Sequence, residues 1–357
     1  MRIVQIIDSL EIGGAEKMAV NFANALNEKM DFSAIVVTRK EGKLFEDINN
    51  KSNYLFLNKK RIIDFKAIFT LKSYCKSNQI EIVQAHGTSF FTAFLLKLVY
   101  PKIAILFHDH SGARSNQNKK SNLFLWLASY FFIGIIVVNH TLKDWAIKNL
   151  NCKKVIYLPN FTSFSSTIAK ETILHGNEGF RILCLANLRN PKNHQMLIDV
   201  AIKIKENYPN WSFHLIGKDS NDEYSNAIKH SIRVNNLESC VFIYGQKNDI
   251  EAIINQSEIC IITSFSEGLP VALLEYGLMK KPVVSTNVGE IPLIIKDGIN
   301  GFIVDANDVS LFYQKVVRFI TESDLRAQMG DSLYQTVIQN NSEEGVIANY
   351  LNWILSL

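Results

Sequence analysis

Two glutamates separated by seven residues, Glu267 and Glu275 in the stretch EGLPVALLE, are the side chains of this sequence best placed to do chemistry. They follow an apolar, strand-like run at 258–263. Pro270 suits the first turn of a helix, where its missing N–H would have no partner in any case. That reading leaves Glu267 at a helix mouth and Glu275 about two turns further in. The free N–H groups of Gly268, Leu269 and Val271, with the positive end of the helix, can then face an anion such as a diphosphate. Two carboxylates would repel a phosphate, so their functional role would be to accept hydrogen bonds from sugar hydroxyls, each contributing about 1.5–3 kcal/mol. The plainer alternative stays open: Glu267 caps the helix, and Glu275 is solvated or pairs with Lys280 or Lys281.

A second stretch, Asn187-Leu-Arg189-Asn-Pro-Lys192-Asn-His194, lies between a strand-like run at 181–185 and a helical pattern carrying Met196, Leu197 and Val200. Arg189 and Lys192 therefore sit on a strand-to-helix loop, where cations would neutralise the charge that grows on a departing diphosphate. Two solvated loop cations are the alternative. Near the start, Gly13 and Gly14 follow a strand and open a helix, which allows backbone to approach a ligand or simply makes a tight turn. His108 and His110 end the apolar run 103–107. They are a metal pair only if a third ligand exists, and none is evident; structural histidines are the alternative. The chain has no Asp-x-Asp pair, so a reaction without a metal and without a cofactor is expected.

These residues are positioned by a recurring pattern. Apolar runs at 2–7, 33–38, 54–57, 80–85, 103–107, 133–138 and 155–158 alternate with helical periodicity, as at Met18, Phe22 and Leu26. A polar stretch at 159–179 has no period. A second series runs through 180–186, 212–217, 240–244, 259–263, 282–286 and 301–304. Strands alternating with helices imply parallel sheets covered on both faces, and open sheets of that kind bind ligands beyond the carboxyl ends of their strands. The expectation is α/β: one doubly wound domain at 1–165, a second at 178–340, and a last helix at 341–357 packed on one of them.

At 357 residues and 47% hydrophobic content the chain can build two cores. Charged residues make up 20% and nearly cancel to +4, which excludes the strong field of a nucleic-acid binder. Five cysteines without CxxC spacing fit reduced, buried thiols. The N-terminus does not read as a secretory signal, and a cytoplasmic location is expected. The apolar stretch 123–138 is short for a bilayer and interrupted by Ser129, Tyr130 and Gly134, so it reads as helix then strand.

Taken together these motifs resemble the retaining glycosyltransferases of family 4, whose GT-B fold sets two Rossmann-like domains face to face across a cleft. The resemblance runs from Gly13-Gly14-Ala15-Glu16 to the segment between Gly289 and Gly301, and EGLPVALLE is its most specific part. It implies that Glu275 holds the nucleotide ribose, Glu267 the donor sugar, the backbone at Gly268 and Leu269 the sugar and phosphate, and Lys192 the diphosphate. It places Gly13 and Gly14 beside the diphosphate, His108 facing the donor sugar and His86 at another cleft position. The family usually has an arginine where this chain has Asn187, and an acid where it has Leu293; Arg189 is the substitute cation.

Retention of configuration, a nucleoside-diphosphate sugar donor (UDP first, GDP next) and a glycan or polyprenyl-linked acceptor in cell-surface polysaccharide or glycolipid synthesis come with the resemblance. A peripheral contact with the inner face of the plasma membrane is expected where Arg114, Lys119 and Lys120 precede Leu123 to Leu127, though an ordinary core-facing helix fits those residues too. A catalytically silent nucleotide-sugar-binding subunit is the competing class. An oxidoreductase is disfavoured, because no GxGxxG follows a strand in either half.

Overall fold

The computed structural model of the chain describes residues 1–111, 114, 122–161 and 171–357. They form two compact units, Met1–Ser163 with Glu343–Leu357, and Phe164–Ser342.

The first unit is a seven-stranded sheet in the order β3-β2-β1-β4-β5-β6-β7, every neighbour parallel. Its strands are β1 (Arg2–Ser9), β2 (Phe32–Lys40), β3 (Tyr54–Phe56), β4 (Ile82–His86), β5 (Ala104–Asp109), β6 (Phe132–Val137) and β7 (Val155–Tyr157). They read as continuous apolar runs because helices cover both faces. Right-handed crossovers place α1 (Gly14–Asn27) on one face, and α2 (Phe65–Ser77), α3 (Phe90–Val99) and α4 (Leu123–Ala128) on the other, with α5 (His140–Asn149) leading into β7. The stretch 123–138 is thus helix, turn and strand, and no helix among the described residues is long and apolar enough to cross a membrane.

The last helix of the chain, α13 (Glu343–Leu355), returns to this first unit and packs beside α1. Val346, Ile347, Tyr350 and Ile354 form its buried stripe. Its Trp353 lies over Gly134 of β6, where an added Cβ would fall 2.6 Å from the indole ring. That contact explains a glycine inside an otherwise apolar strand.

The second unit repeats the plan with six strands in the order β10-β9-β8-β11-β12-β13, again all parallel. They are β8 (Arg181–Leu185), β9 (Ser212–Ile216), β10 (Val241–Gly245), β11 (Ile259–Ile262), β12 (Val283–Thr286) and β13 (Phe302–Val304). The helices are α6 (His194–Asn207), α7 (Glu223–Val234), α8 (Ile250–Asn255), α9 (Val271–Leu278), α10 (Ile291–Ile294), α11 (Val309–Thr321) and α12 (Ser323–Asn341). Of the polar stretch expected to link the halves, 162–170 lies outside the described residues. From Glu171 onward the chain is fastened to the second unit: the N–H groups of Glu171 and Thr172 donate to Asp249 at 2.9 and 2.6 Å.

In each sheet the strand order reverses once, between β1 and β4 and between β8 and β11. Such reversals open a crevice at the carboxyl ends of the flanking strands.

Candidate active site

In the second unit the residues singled out by sequence come from the two strands that flank the reversal. The loop after β8 carries Asn187, Arg189 and Lys192, and the loop after β11 carries Glu267, Gly268 and Leu269. The loops are stitched together: Thr263 Oγ1 donates to the Lys192 carbonyl at 2.9 Å, and the Phe265 N–H donates to the Pro191 carbonyl at 2.8 Å. Lys192 Nζ then reaches Glu267 Oε1 at 2.6 Å, and Ser264 Oγ donates to the same oxygen at 2.6 Å. The cation expected to hold phosphate and the carboxylate expected to hold sugar are thus direct partners, both largely buried. Charge-assisted bonds of this length fix both side chains more firmly than neutral ones would.

Pro270 is the N-cap of α9 rather than its first helical residue, with φ −68° and ψ 127°. Gly268 is half-buried, Leu269 is buried, and Glu275 is buried in the second turn. The neighbouring Tyr276 is fully buried, and its hydroxyl accepts from the Leu185 N–H at 2.7 Å, which ties α9 to the end of β8. Gly289 holds the loop from the other side. Its φ is +58°, and an added Cβ would lie 2.3 Å from the Glu267 carbonyl and 2.4 Å from that of Gly268. Next to it the Glu290 N–H donates to the Gly268 carbonyl at 2.9 Å.

Asn187 uses its side-chain oxygen to accept from the Lys218 N–H at 2.8 Å, joining the loops after β8 and β9. Arg189 is exposed, and none of the described carboxylates pairs with it. Cys184, on β8 near Lys192 and Glu267, has its thiol pushed up to about 12 by burial, against the pull of Lys192. It therefore stays protonated and offers no thiolate nucleophile.

In the first unit Gly13 is the N-cap of α1 in extended conformation, and Gly14 is exposed with open space where a Cβ would be. β4 and β5 pair so that His86 stands beside His108. His108 is 1% exposed, and its Nδ1 meets the Gln84 side-chain nitrogen at 3.1 Å. The Gln84 oxygen in turn accepts from the Tyr350 hydroxyl of α13 at 2.6 Å. With the amide so oriented, Gln84 donates to Nδ1, and the imidazole proton sits on Nε2, which has no partner among the described residues.

His86, His108 and His110 converge, their nearest ring nitrogens all within 4.8 Å of one another. The third histidine that the sequence did not reveal beside His108 and His110 is therefore His86. All three rings are already committed to hydrogen bonds: His86 Nδ1 meets His110 Nε2 at 2.9 Å, His86 Nε2 meets Gln5 Oε1 at 2.8 Å, and His108 Nδ1 is taken by Gln84. Burial holds the imidazoles of His86 and His108 well below the usual histidine range and takes His110 down to about 3. Asp109, between two of them, is buried against Arg114 at 2.6 Å; burial raises its carboxyl and the guanidinium opposes the shift.

Residues 12–164 match the Glycosyltransferase Family 4 family, and residues 166–336 match Glycosyl transferases group 1. The chain is a group 1 glycosyltransferase. Among curated relatives it is 23% identical to UDP-Gal:alpha-D-GlcNAc-diphosphoundecaprenol alpha-1,3-galactosyltransferase of Escherichia coli, over 86% of this chain and 84% of that one. It is 22% identical to GalNAc-alpha-(1->4)-GalNAc-alpha-(1->3)-diNAcBac-PP-undecaprenol alpha-1,4-N-acetyl-D-galactosaminyltransferase of Campylobacter jejuni, over 94% and 93%. Among solved structures it superposes on Anabaena HepE in complex with UDP-glucose with a TM-score of 0.82 at 15% identity, and on Staphylococcus aureus TarM in complex with UDP with 0.80 at 14%. Both superpositions cover 99% or more of each chain. The fold is GT-B.

Within this group 1 glycosyltransferase, sequence reasoning missed four supporting residues. Ser264 was readable, since Ser-x-x-Glu at 264–267 has the spacing of a capping box. Thr263, Gln84 and Tyr350 carried no local signal; the last two meet only because the chain returns after 266 residues.

Proposed function

We propose that this glycosyltransferase moves a hexosyl or N-acetylhexosaminyl group from a UDP-sugar, with retention of configuration and without a metal, to a hydroxyl of a glycan or lipid-linked acceptor. The observation that carries this reading is the Lys192–Glu267–Ser264 constellation at the mouth of α9, with Glu275 buried two turns in. Breaking the bond between the anomeric carbon and the phosphate builds negative charge on the diphosphate and positive charge on the sugar ring. Lys192, Arg189 and the helix N-terminus answer the first; Glu267 and Glu275 accept hydrogen bonds from sugar and ribose hydroxyls. The acceptor hydroxyl attacks the face the diphosphate leaves, bonding to the anomeric carbon as the bond to phosphate breaks and giving its proton to the departing diphosphate oxygen; Cys184, held neutral, does not intervene.

UDP is favoured because the Escherichia coli relative is named for a UDP-sugar and the HepE and TarM structures hold UDP. A lipid-linked acceptor is favoured because both relatives above are named for undecaprenol-linked glycans, and others for O-antigen biosynthesis. Such an acceptor belongs to cell-surface polysaccharide or glycolipid assembly at the cytoplasmic face of a membrane. The test is incubation of the purified chain with UDP-sugars and a diphosphate-linked GlcNAc lipid in EDTA, with the anomeric configuration of the product read by NMR. Transfer with retention is expected. Transfer that stops in EDTA and returns with a divalent ion, or a product of inverted configuration, would overturn the corresponding part of the reading.

A further inference from the structure

On the face of the first sheet that carries α2, α3 and α4, charge and apolar exposure depart together from the rest of the chain. Residues 59–80 hold six Lys and Arg against a single carboxylate, Asp64, a net +5 in a chain whose total is +4. Asp64 is engaged locally, accepting from the N–H groups of Ala67 and Lys60, both at 3.1 Å, as it caps α2. Between these cations stand exposed apolar side chains: Ile62 (69%), Ile63, Phe65 (70%) and Phe69. On α2 the positions 65, 69, 72 and 76 share one stripe, Phe-Phe-Lys-Lys, that flanks the buried face of Ala67, Ile68, Leu71 and Cys75.

The patch continues across the layer. Lys59 Nζ lies 6.0 Å from the centre of the Phe91 ring of α3, and that ring lies 6.0 Å from Phe124 of α4. Leu123, Phe124 (67%), Leu127 and Tyr130 are exposed there in turn. The described residues of α3 and α4 add Lys97 and no carboxylate. Single exposed apolar residues are ordinary. Here ten of the nineteen large ones among the described residues fall between Ile62 and Phe131, on one layer, which marks an interaction surface. Of the basic stretch at 114–120, Arg114 is taken by Asp109, and the remainder lies outside the described residues.

We propose that this face docks on the anionic surface of a lipid bilayer, with Ile62, Ile63, Phe65 and Phe124 entering the boundary between headgroups and acyl chains and Lys60, Arg61, Lys66 and Lys72 lying at the phosphates. Charge complementarity selects the occupant. Protruding isoleucines and leucines have nothing to stack on in a nucleic acid, whereas cations interleaved with aliphatic and aromatic tips match the layered chemistry of a bilayer interface. The inference extends the proposed function, bringing the chain to where a lipid-linked acceptor lies. Because lipid binding is measured without donor or acceptor, the two can fail separately.

The experiment is co-sedimentation of the full chain with vesicles of phosphatidylcholine alone and of phosphatidylcholine with phosphatidylglycerol. Binding is expected to the anionic vesicles, weakening as salt is raised. The double variant Ile62→Glu/Phe65→Glu is expected to lose it, and Lys60→Gln/Arg61→Gln/Lys66→Gln to bind about a hundredfold more weakly. Ile299→Glu, an exposed apolar residue of the second unit, is the control and should bind like wild type. These positions are all exposed, and unchanged circular dichroism will show that the variants fold. No binding to anionic vesicles, equal binding to neutral ones, or wild-type binding by Ile62→Glu/Phe65→Glu would each overturn the proposal.

Discussion

Tyr350→Phe removes one oxygen from the last helix of the chain and should be felt at His108. The Tyr350 hydroxyl donates to Gln84 Oε1 at 2.6 Å, and Gln84 Nε2 meets His108 Nδ1 at 3.1 Å, with all three side chains buried. Without the hydroxyl, a buried acceptor is left unpaired, which costs about 1–3 kcal/mol of stability. The Gln84 amide is then free to turn. In its turned state it accepts from Nδ1–H, so the imidazole proton moves to Nδ1 and Nε2 becomes an acceptor. If Nε2–H donates to a hydroxyl of the donor sugar, losing that neutral hydrogen bond costs about 0.5–1.5 kcal/mol, a two- to twelvefold fall in kcat/KM. The assay is kcat/KM for the sugar nucleotide together with urea denaturation, in wild type, Tyr350→Phe, His108→Ala and the double variant. The stability loss should persist in the His108→Ala background, whereas the kinetic loss should vanish there. A Tyr350→Phe enzyme that is less stable yet kinetically wild type, or one whose kinetic loss is the same in both backgrounds, would refute the relay.

Gly289→Ala should disable donor binding rather than merely weaken it, because the new Cβ would press on the carbonyls of Glu267 and Gly268 at a φ of +58°; unchanged UDP affinity would contradict the role given to that loop. Acid should destabilise the protein earlier than carboxylate titration alone would. Burial holds His86 and His108 well below their ordinary values, His110 and His214 at about 3 and His194 at about 4. All five therefore bind protons first in the unfolded chain. Stability is full above the unfolded value near 6.5 and falls below it by up to about 1.4 kcal/mol per pH unit for each histidine. A urea midpoint that does not move between pH 7 and pH 5 would contradict this. Lys59 is 4% exposed, its ammonium donates to Thr92, and burial, then Arg39, lower its pKa against the opposing pull of Asp8 and Asp64. Lys59→Met should leave the melting temperature equal or raised, since an apolar side chain avoids that desolvation; a loss of more than about 2 kcal/mol would show the ammonium to be stabilising.

The sheets were legible because parallel strands covered on both faces leave uninterrupted apolar runs. All thirteen runs from 2–7 to 301–304 became strands, shifted at their ends by one or two residues. The helix mouth at Glu267 was legible for a different reason: proline and glycine announce local geometry that does not depend on distant chain. Two features were not. The histidine cluster needed the register of β4 against β5, which sets His86 beside His108, and the return of α13, which brings Tyr350 onto Gln84. Register and chain return are long-range facts. The outward stripe of α2 was missed as well, since attention to amphipathic pattern follows the buried side, and here the side flanking it carries the apolar residues that need explaining.

We propose that this group 1 glycosyltransferase holds a nucleoside diphosphate through Glu275 and the loops after β8 and β11. Calorimetric titration of the purified chain with UDP, GDP, ADP and NAD, beside a Glu275→Ala variant, tests it most directly. One nucleoside diphosphate, UDP, is expected to bind, and the variant to lose it. Binding of none, binding of NAD alone, or UDP affinity unchanged in Glu275→Ala would contradict it.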